Sequence, residues 1–157
     1  MNTCPHQLDR IMAVMEAAFD PAYNEAWNRK QVSDALTMPS THSVVINAEG
    51  NLIEAGPATS EAAGFVLTRH AADEEELLLI AVAPQFRNRG LGEKLIQHLF
   101  AAARERGVCR IFLEMRRGNP AISLYQKVGF APIGERPKYY RMFNGERVDA
   151  ITFSVLL

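Results

Sequence analysis

The sequence predicts a mixed α/β domain, with helices packed on one mixed sheet. Three observations predict it. Apolar runs of strand length alternate along the chain with segments whose apolar residues recur at helical spacing. The chain has 157 residues, one domain's length, of which 48% are hydrophobic and 22% charged, so it can bury a core. Neither an internal repeat nor a Ser/Gly-rich linker divides it, so residues 1–157 read as a single domain.

The elements follow in order. Leu8, Ile11, Met12, Met15 and Phe19 put one apolar face on a helix from Gln7 to Phe19. A second helix runs from Asn24 to about Thr37 and stops before Pro39, because proline pushes its predecessor out of the helical region. Strands follow over Ser43 to Asn47, Ala62 to Arg69 and Glu75 to Ala83. Between the first two, Gly50, Gly56 and Pro57 mark turns rather than a domain boundary. The acidic run Asp73 to Glu76 reads as the solvated end of a hairpin rather than a cation site. A long helix spans Gly90 to Arg106, with Leu91, Leu95, Leu99 and Ala102 on one face and Gly107 as its stop. Cys109 to Met115 is a strand, and Asn119 to Val128 is a short helix ended by Gly129. Phe130 to Gly134 and Asp149 to Leu156 close the chain as strands.

Composition removes several classes of function. Lys and Arg number 17 against 18 Asp and Glu, so no global basic field steers the chain onto nucleic acid. The longest apolar run, Leu77 to Pro84, is far short of the roughly 20 residues a membrane helix needs. The opening MNTCPHQLDR lacks the apolar core of a secretory signal. Cys4 and Cys109 cannot build a disulfide framework and form no CxxC. Together these predict a cytoplasmic protein with no membrane or nucleic-acid partner. Cys109 opens an apolar strand and reads as a small core residue. His98 reads as a surface residue of the long helix. His6, His42 and His70 show no metal-ligand spacing, so no metal is expected.

The stretch that carries chemistry is Leu77 to Leu95, LLLIAVAPQFRNRGLGEKL. A buried strand runs through Ile80, Ala81 and Val82 into Pro84. A polar turn with Arg87, Asn88 and Arg89 then leads through Gly90, Leu91 and Gly92 into an amphipathic helix. Unpaired N–H groups at a helix start, aided by the helix dipole, attract anions. Glycines let a ligand approach the backbone, and arginines add bidentate phosphate donors. Other phosphate motifs fail: the dinucleotide fingerprint needs Gly or Ala where Leu95 stands, and no Gly-Lys-Ser/Thr triplet exists.

The pattern Arg87-x-x-Gly90-x-Gly92 after Ala81-Val82-Ala83-Pro84 resembles the acyl-CoA pyrophosphate loop of the GNAT acetyltransferases. The resemblance continues through Leu113-Glu114-Met115-Arg116, Asn119-Pro120, Leu124-Tyr125 and Val128-Gly129-Phe130. With Arg136-x-x-Tyr139-Tyr140 and Asp149-Ala150 it is most similar to the RimI-type branch, the ribosomal-protein alanine N-acetyltransferases. The interval from Glu114 to Tyr125 is one residue shorter than that branch usually has, and the shortening falls near Pro120.

The resemblance implies a GNAT fold, with a central, mostly antiparallel sheet flanked by helices and a splayed strand pair, and acetyl-CoA as co-substrate. It implies a protein N-terminus as acceptor, with a small amine or an antibiotic as the alternative within the superfamily. A non-catalytic acyl-CoA sensor is the third reading, against which the retention of both Glu114 and Tyr125 speaks. The backbone of Arg87, Asn88, Arg89, Gly90, Leu91 and Gly92 would grip the pyrophosphate. Ile80, Ala81 and Val82 would pair with the pantetheine arm, with a backbone N–H near Val82 facing the developing oxyanion. Asn119 would sit beside the cofactor.

For Glu114, spacing alone favours an ordinary strand carboxylate paired to Arg116 or Arg117. The resemblance makes it the base that takes the amine's proton, its carboxyl tuned by Leu113 and Met115. Tyr125 is one position off the face shared by Leu124 and Val128, and the resemblance makes it the acid that protonates the leaving thiolate. Trp27, Tyr139 and Tyr140 are candidates for lining an acceptor groove. The expected assembly is a monomer or weak dimer.

Overall fold

The structure, a computed structural model, describes residues 5–19, 25–53 and 61–157. Cys4, Asn24, Gly56 and Pro57, and the side chain of His6, lie outside the described residues. The elements are α1 (Pro5–Ala18), α2 (Arg29–Leu36), β1 (Thr41–Ile46), β2 (Gly64–Ala71), β3 (Glu74–Val82), α3 (Leu91–Glu105), β4 (Arg110–Arg116), α4 (Ile122–Lys127), β5 (Ala131–Arg141) and β6 (Arg147–Leu156). They form a six-stranded sheet in the order β1-β2-β3-β4-β6-β5. Every neighbouring pair is antiparallel except β3 and β4, which run parallel across the α3 connection. Among the described residues no helix is long and apolar enough to cross a membrane.

Each face of the sheet has its own core. Ile11, Met15 and Val32 of α1 and α2 pack on Val45, Phe65, Leu67 and Leu79. On the other face, Leu95, Leu99 and Ala103 of α3 pack on Val66, Ile111, Leu113 and Phe153. Phe65, Val66 and Leu67 of β2 are each 0% exposed because this strand is covered on both faces. Burying one such side chain contributes about 2 kcal/mol.

The parallel pair is what opens the site. The β3–β4 ladder holds only at Glu74↔Arg110, Glu75↔Ile111 and Glu76↔Phe112. The β2–β3 register slips between Leu67 and Thr68, leaving Leu78 as an extra residue on β3. Such a bulge bends its strand. Beyond it β3 stays with β2 up to Val82, while β4 stays with β6 up to Arg116. The two parallel strands therefore part, and a gap opens between them.

Several local expectations shift. The second helix begins at Arg29 because Asn28 and Gln31 form a reciprocal capping box. The short helix begins at Ile122, since Asn119 Oδ1 accepts from the Ala121 N–H at 2.9 Å and holds a turn around Pro120. Strand β5 runs to Arg141 rather than Gly134, crossing two irregularities in its pairing with β6. Its residues are nearly all exposed, so it has no alternating apolar face for the sequence to display. Cys109 is exposed rather than part of the core. It precedes β4, and the buried residue where the chain leaves α3 is Val108, 4% exposed.

Candidate active site

The gap between β3 and β4 is the floor of a cleft of about 1220 Å³. Leu77 to Val82 form one wall, Leu113 to Arg116 the other, and the start of α3 with α4 closes one end. Phe19, Glu25 and Trp27, from the segment between α1 and α2, close the other side, with Tyr140 of β5.

The turn before α3 is shaped to hold an anion. Pro84–Phe86 makes one 3₁₀ turn, and Asn88 (φ 63°) and Gly90 (φ 77°) then take left-handed conformations. Alternating such residues with ordinary ones turns successive N–H groups toward one concavity. Gly90 is the N-cap of α3, so the N–H groups of Leu91, Gly92 and Glu93 open the helix with no helical acceptor before them. A side chain on Gly90 would meet open space, but its positive φ favours glycine. Gly92 is constrained differently, because a Cβ there would come within 2.9 Å of Leu124 Cδ2. Its missing side chain lets α4 dock on the first turn of α3, and Lys127 of α4 bridges to Glu93 at 3.0 Å.

The arginines of this turn do other work with their side chains. Arg87 turns back, donating from Nε to the Val82 carbonyl at 3.0 Å and from Nη2 to the Ala18 carbonyl at 2.9 Å. It ties the end of β3 to the C-terminal carbonyls of α1, where a cation is favoured. The Arg89 guanidinium lies over the Phe86 ring, 5.6 Å from its centre, and Arg89 does not line the cleft. Arg87, Asn88, Gly90, Leu91 and Gly92 line the cleft on this side.

The strand wall divides by alternation. The Ala83 N–H donates to the carbonyl of Ala63, the residue just before β2, at 2.8 Å. The N–H groups of Ile80 and Val82 accordingly face the opposite edge, into the gap. Ala81, expected alongside them, directs its backbone to β2, and its carbonyl packs against Gly64. Ala81 contributes wall, not donors.

Glu114 and Tyr125 face the same cleft from two elements. Glu114 lies on β4, its side chain 20% exposed, with Arg136 Nε 3.6 Å from Oε2. Its cation is thus a residue of β5, not Arg116 or Arg117. Arg116 instead bonds Glu25 at 2.6 Å, and Arg117 pairs with Glu135 and Asp149. Tyr125 is 5% exposed, set by the end of its own helix. Gly129 (φ 104°) turns the chain so that the Phe130 N–H reaches the Tyr125 carbonyl at 2.9 Å and the Gly129 N–H reaches Gln126 at 3.1 Å. This Schellman closure brings Phe130 edge-on against the Tyr125 ring, with centroids 5.7 Å apart. The Val128-Gly129-Phe130 motif is therefore the clamp that orients the tyrosine. Burial pushes the Tyr125 phenol well above the usual tyrosine range, with the Glu25 carboxylate and Tyr140 adding to it.

Tyr140 donates its hydroxyl to the Glu114 carbonyl at 3.3 Å. Burial first, then the Glu114 carboxylate, pushes its phenol up to about 12. Trp27 and Tyr140 both line the cleft, whereas Tyr139 does not and is 50% exposed under the Arg136 guanidinium. Asn119 lines the cleft with its oxygen committed to the Ala121 N–H. The sequence reading missed the Glu25–Arg116 pair at the cleft edge. No local pattern marks Glu25, which comes from a segment distant in sequence from β4.

A six-stranded mixed sheet with one splayed parallel pair, and a glycine-started helix crossing between the two strands, is the frame of the N-acyltransferase fold. The chain belongs to the GNAT acetyltransferase family, whose model, Acetyltransferase (GNAT) family, matches residues 10–130. Among curated relatives it is 39% identical over 99 residues to the [ribosomal protein bS18]-alanine N-acetyltransferase of Salmonella typhimurium, covering 62% of this chain and 66% of that one. It is 34% identical over 94 residues to the protein of the same name from Haemophilus influenzae, covering 60% of this chain and 64% of that one. The matched segment thus spans just under two thirds of these relatives. The crystal structure of the ribosomal-protein-S18-alanine N-acetyltransferase from Escherichia coli superposes with a TM-score of 0.75 at 28% identity, covering 99% of this chain and 90% of that one.

Proposed function

We propose that this protein is an acetyl-CoA-dependent N-acetyltransferase acting on the N-terminal α-amino group of a protein with a small first residue such as alanine. The observation that carries the reading is the convergence of three features on one gap: an anion-binding turn, the Glu114 carboxylate and the buried Tyr125 phenol. The similarity to bS18-alanine acetyltransferases supports the acceptor.

Each residue has a task under this reading. The backbone from Arg87 to Gly92 binds the pyrophosphate of acetyl-CoA, and Ile80 and Val82 pair with its amide-bearing arm like an added strand. The Val82 N–H faces the carbonyl oxygen as charge develops on it. Glu114, directly or through a water, takes the proton that an incoming ammonium must lose before it can attack. Tyr125 keeps its proton at neutral pH and delivers it to the departing sulfur. Trp27 and Tyr140 line the acceptor side. All these groups come from one chain, so a monomer suffices, and a ribosomal acceptor places the reaction in the cytoplasm.

The test measures free CoA released from acetyl-CoA with peptides beginning in alanine, against polyamine and aminoglycoside acceptors. Preferential turnover of the alanine peptides is expected. Turnover of small amines alone would overturn the acceptor assignment. Binding of acetyl-CoA without release on any acceptor would overturn the catalytic one.

A further inference from the structure

A second cluster lies away from the cleft, on the α3 face of the sheet where the β3–β4 ladder is still closed. His42 of β1, His70 of β2 and Glu75 of β3 present one ligand atom each within 4.8 Å of one another, and none lines the cleft. We propose that His42 Nε2, His70 Nδ1 and a carboxylate oxygen of Glu75 form a binding site for a divalent transition-metal ion of the zinc type.

The sheet register builds this site. His70 stands opposite Glu75, and Thr68, two residues before His70 on the same face, stands opposite His42. Three neighbouring strands therefore supply the three donors, and rigid strands hold ligands more closely than loops do. The sequence could not show it, because the two histidines are 28 residues apart. The ring nitrogens face each other at 2.7 Å. Zinc–nitrogen bonds of 2.0–2.1 Å in a tetrahedral site separate two nitrogens by ~3.3 Å, so the rings need to open by only ~0.6 Å.

Glu75 is 0% exposed and already oriented. Arg106, the C-cap of α3, donates to Oε1 at 3.1 and 2.7 Å and to Oε2 at 2.8 Å. Oε1 thus takes two of these bonds and Oε2 one, so Oε2 keeps a lone pair for an ion. Ligating carboxylates are commonly oriented by such a partner.

Thr68 supplies an independent observation. It is 1% exposed, and its Oγ1 is the one buried side-chain oxygen or nitrogen among the described residues with no hydrogen-bond partner. A water on the fourth position of the ion would give that hydroxyl its missing partner. Two imidazoles and one carboxylate select zinc, cobalt, nickel or copper over calcium and magnesium, which prefer oxygen-only shells. Both histidines are partly exposed, which leaves an entry path. The ion would fasten β1, β2 and β3 together at the end of the sheet remote from the reaction, a structural role.

The test uses the full chain stripped with EDTA. Calorimetric titration with Zn²⁺ alone should show a single site, and Co²⁺ should develop the visible bands of tetrahedral coordination. At Zn²⁺ about ten times Kd, Tm should rise by roughly 3–5 °C, with no rise in Mg²⁺ or Ca²⁺. In His42→Gln and His70→Gln the binding and the Tm rise should both vanish. Imidazole ¹⁵N resonances of His42 and His70 should move on Zn²⁺ addition to the unmodified chain, which tests the site without a variant. No Zn²⁺ binding, binding undiminished in both variants, or movement confined to other histidines would overturn the proposal.

Discussion

Replacing Tyr125 by phenylalanine removes one oxygen from the cleft and little else. The ring is 5% exposed and held edge-on against Phe130 at 5.7 Å, contacts that phenylalanine keeps. Deleting the hydroxyl should change stability by about 1 kcal/mol or less, a Tm shift within roughly 4 °C. Acetyl-CoA affinity should hold, because the turn from Arg87 to Gly92 is untouched. The catalytic effect should be far larger. General acids typically contribute at least ~10²-fold, so kcat should fall by about that factor, or ~2.7 kcal/mol of barrier. The assay pairs CoA release at saturating peptide with a melting curve and an acetyl-CoA titration on the same preparation. Because burial holds the phenol protonated well above neutrality, the unmodified enzyme should show no loss of kcat from this group between pH 7 and 9. A Tyr125→Phe enzyme within threefold of the original kcat would refute the acid role. So would a loss explained entirely by unfolding, and Tyr140, which also lines the cleft, would be the next candidate.

Four further outcomes are expected. Glu114→Gln should lower turnover by ~10²-fold at neutral pH, and the deficit should shrink as pH rises past the amine's own pKa of about 8; undiminished activity at pH 7 removes Glu114 from the mechanism. Saturating acetyl-CoA should raise Tm by several degrees, an effect that Gly92→Val weakens by forcing Leu124 and α4 away, while Gly90→Ala costs about 1 kcal/mol through its φ of 77°. Arg106→Ala strands the buried Glu75 carboxylate and should cost about 3–5 kcal/mol, seen as a Tm drop of roughly 10 °C, whereas an unchanged Tm would mean that Glu75 does not depend on this partner. Alkaline denaturation should begin near pH 10, where unfolded tyrosine ionises, and extend to about pH 12. Folded Tyr125 and Tyr140 retain protons there that the unfolded chain has lost, so stability falls as pH rises, and Tyr140→Phe should flatten the curve.

What the sequence determined by itself is what short-range chemistry determines. The apolar period and the flanking glycines bound α3 within a residue at each end, since Gly90 and Gly107 stop a helix by backbone conformation alone. The same local logic placed the glycine turn before α3, the strand that carries Glu114, and Tyr125 on a helix closed by Gly129-Phe130. Pairing between distant strands decided the rest. The extra residue Leu78 and a ladder only three pairs long part β3 from β4, and neither is visible until β2 and β6 compete for them. That register turns Ala81 toward β2 while leaving Ile80 and Val82 to the gap. It gives Glu114 an arginine from β5 and Arg116 a glutamate from the α1–α2 segment. It also brings His42, His70 and Glu75 together from three strands. Helix caps and turns are written in neighbouring residues, because their hydrogen bonds close within a few positions. Cross-strand contacts close across tens of residues, so only the folded sheet selects which side chains meet.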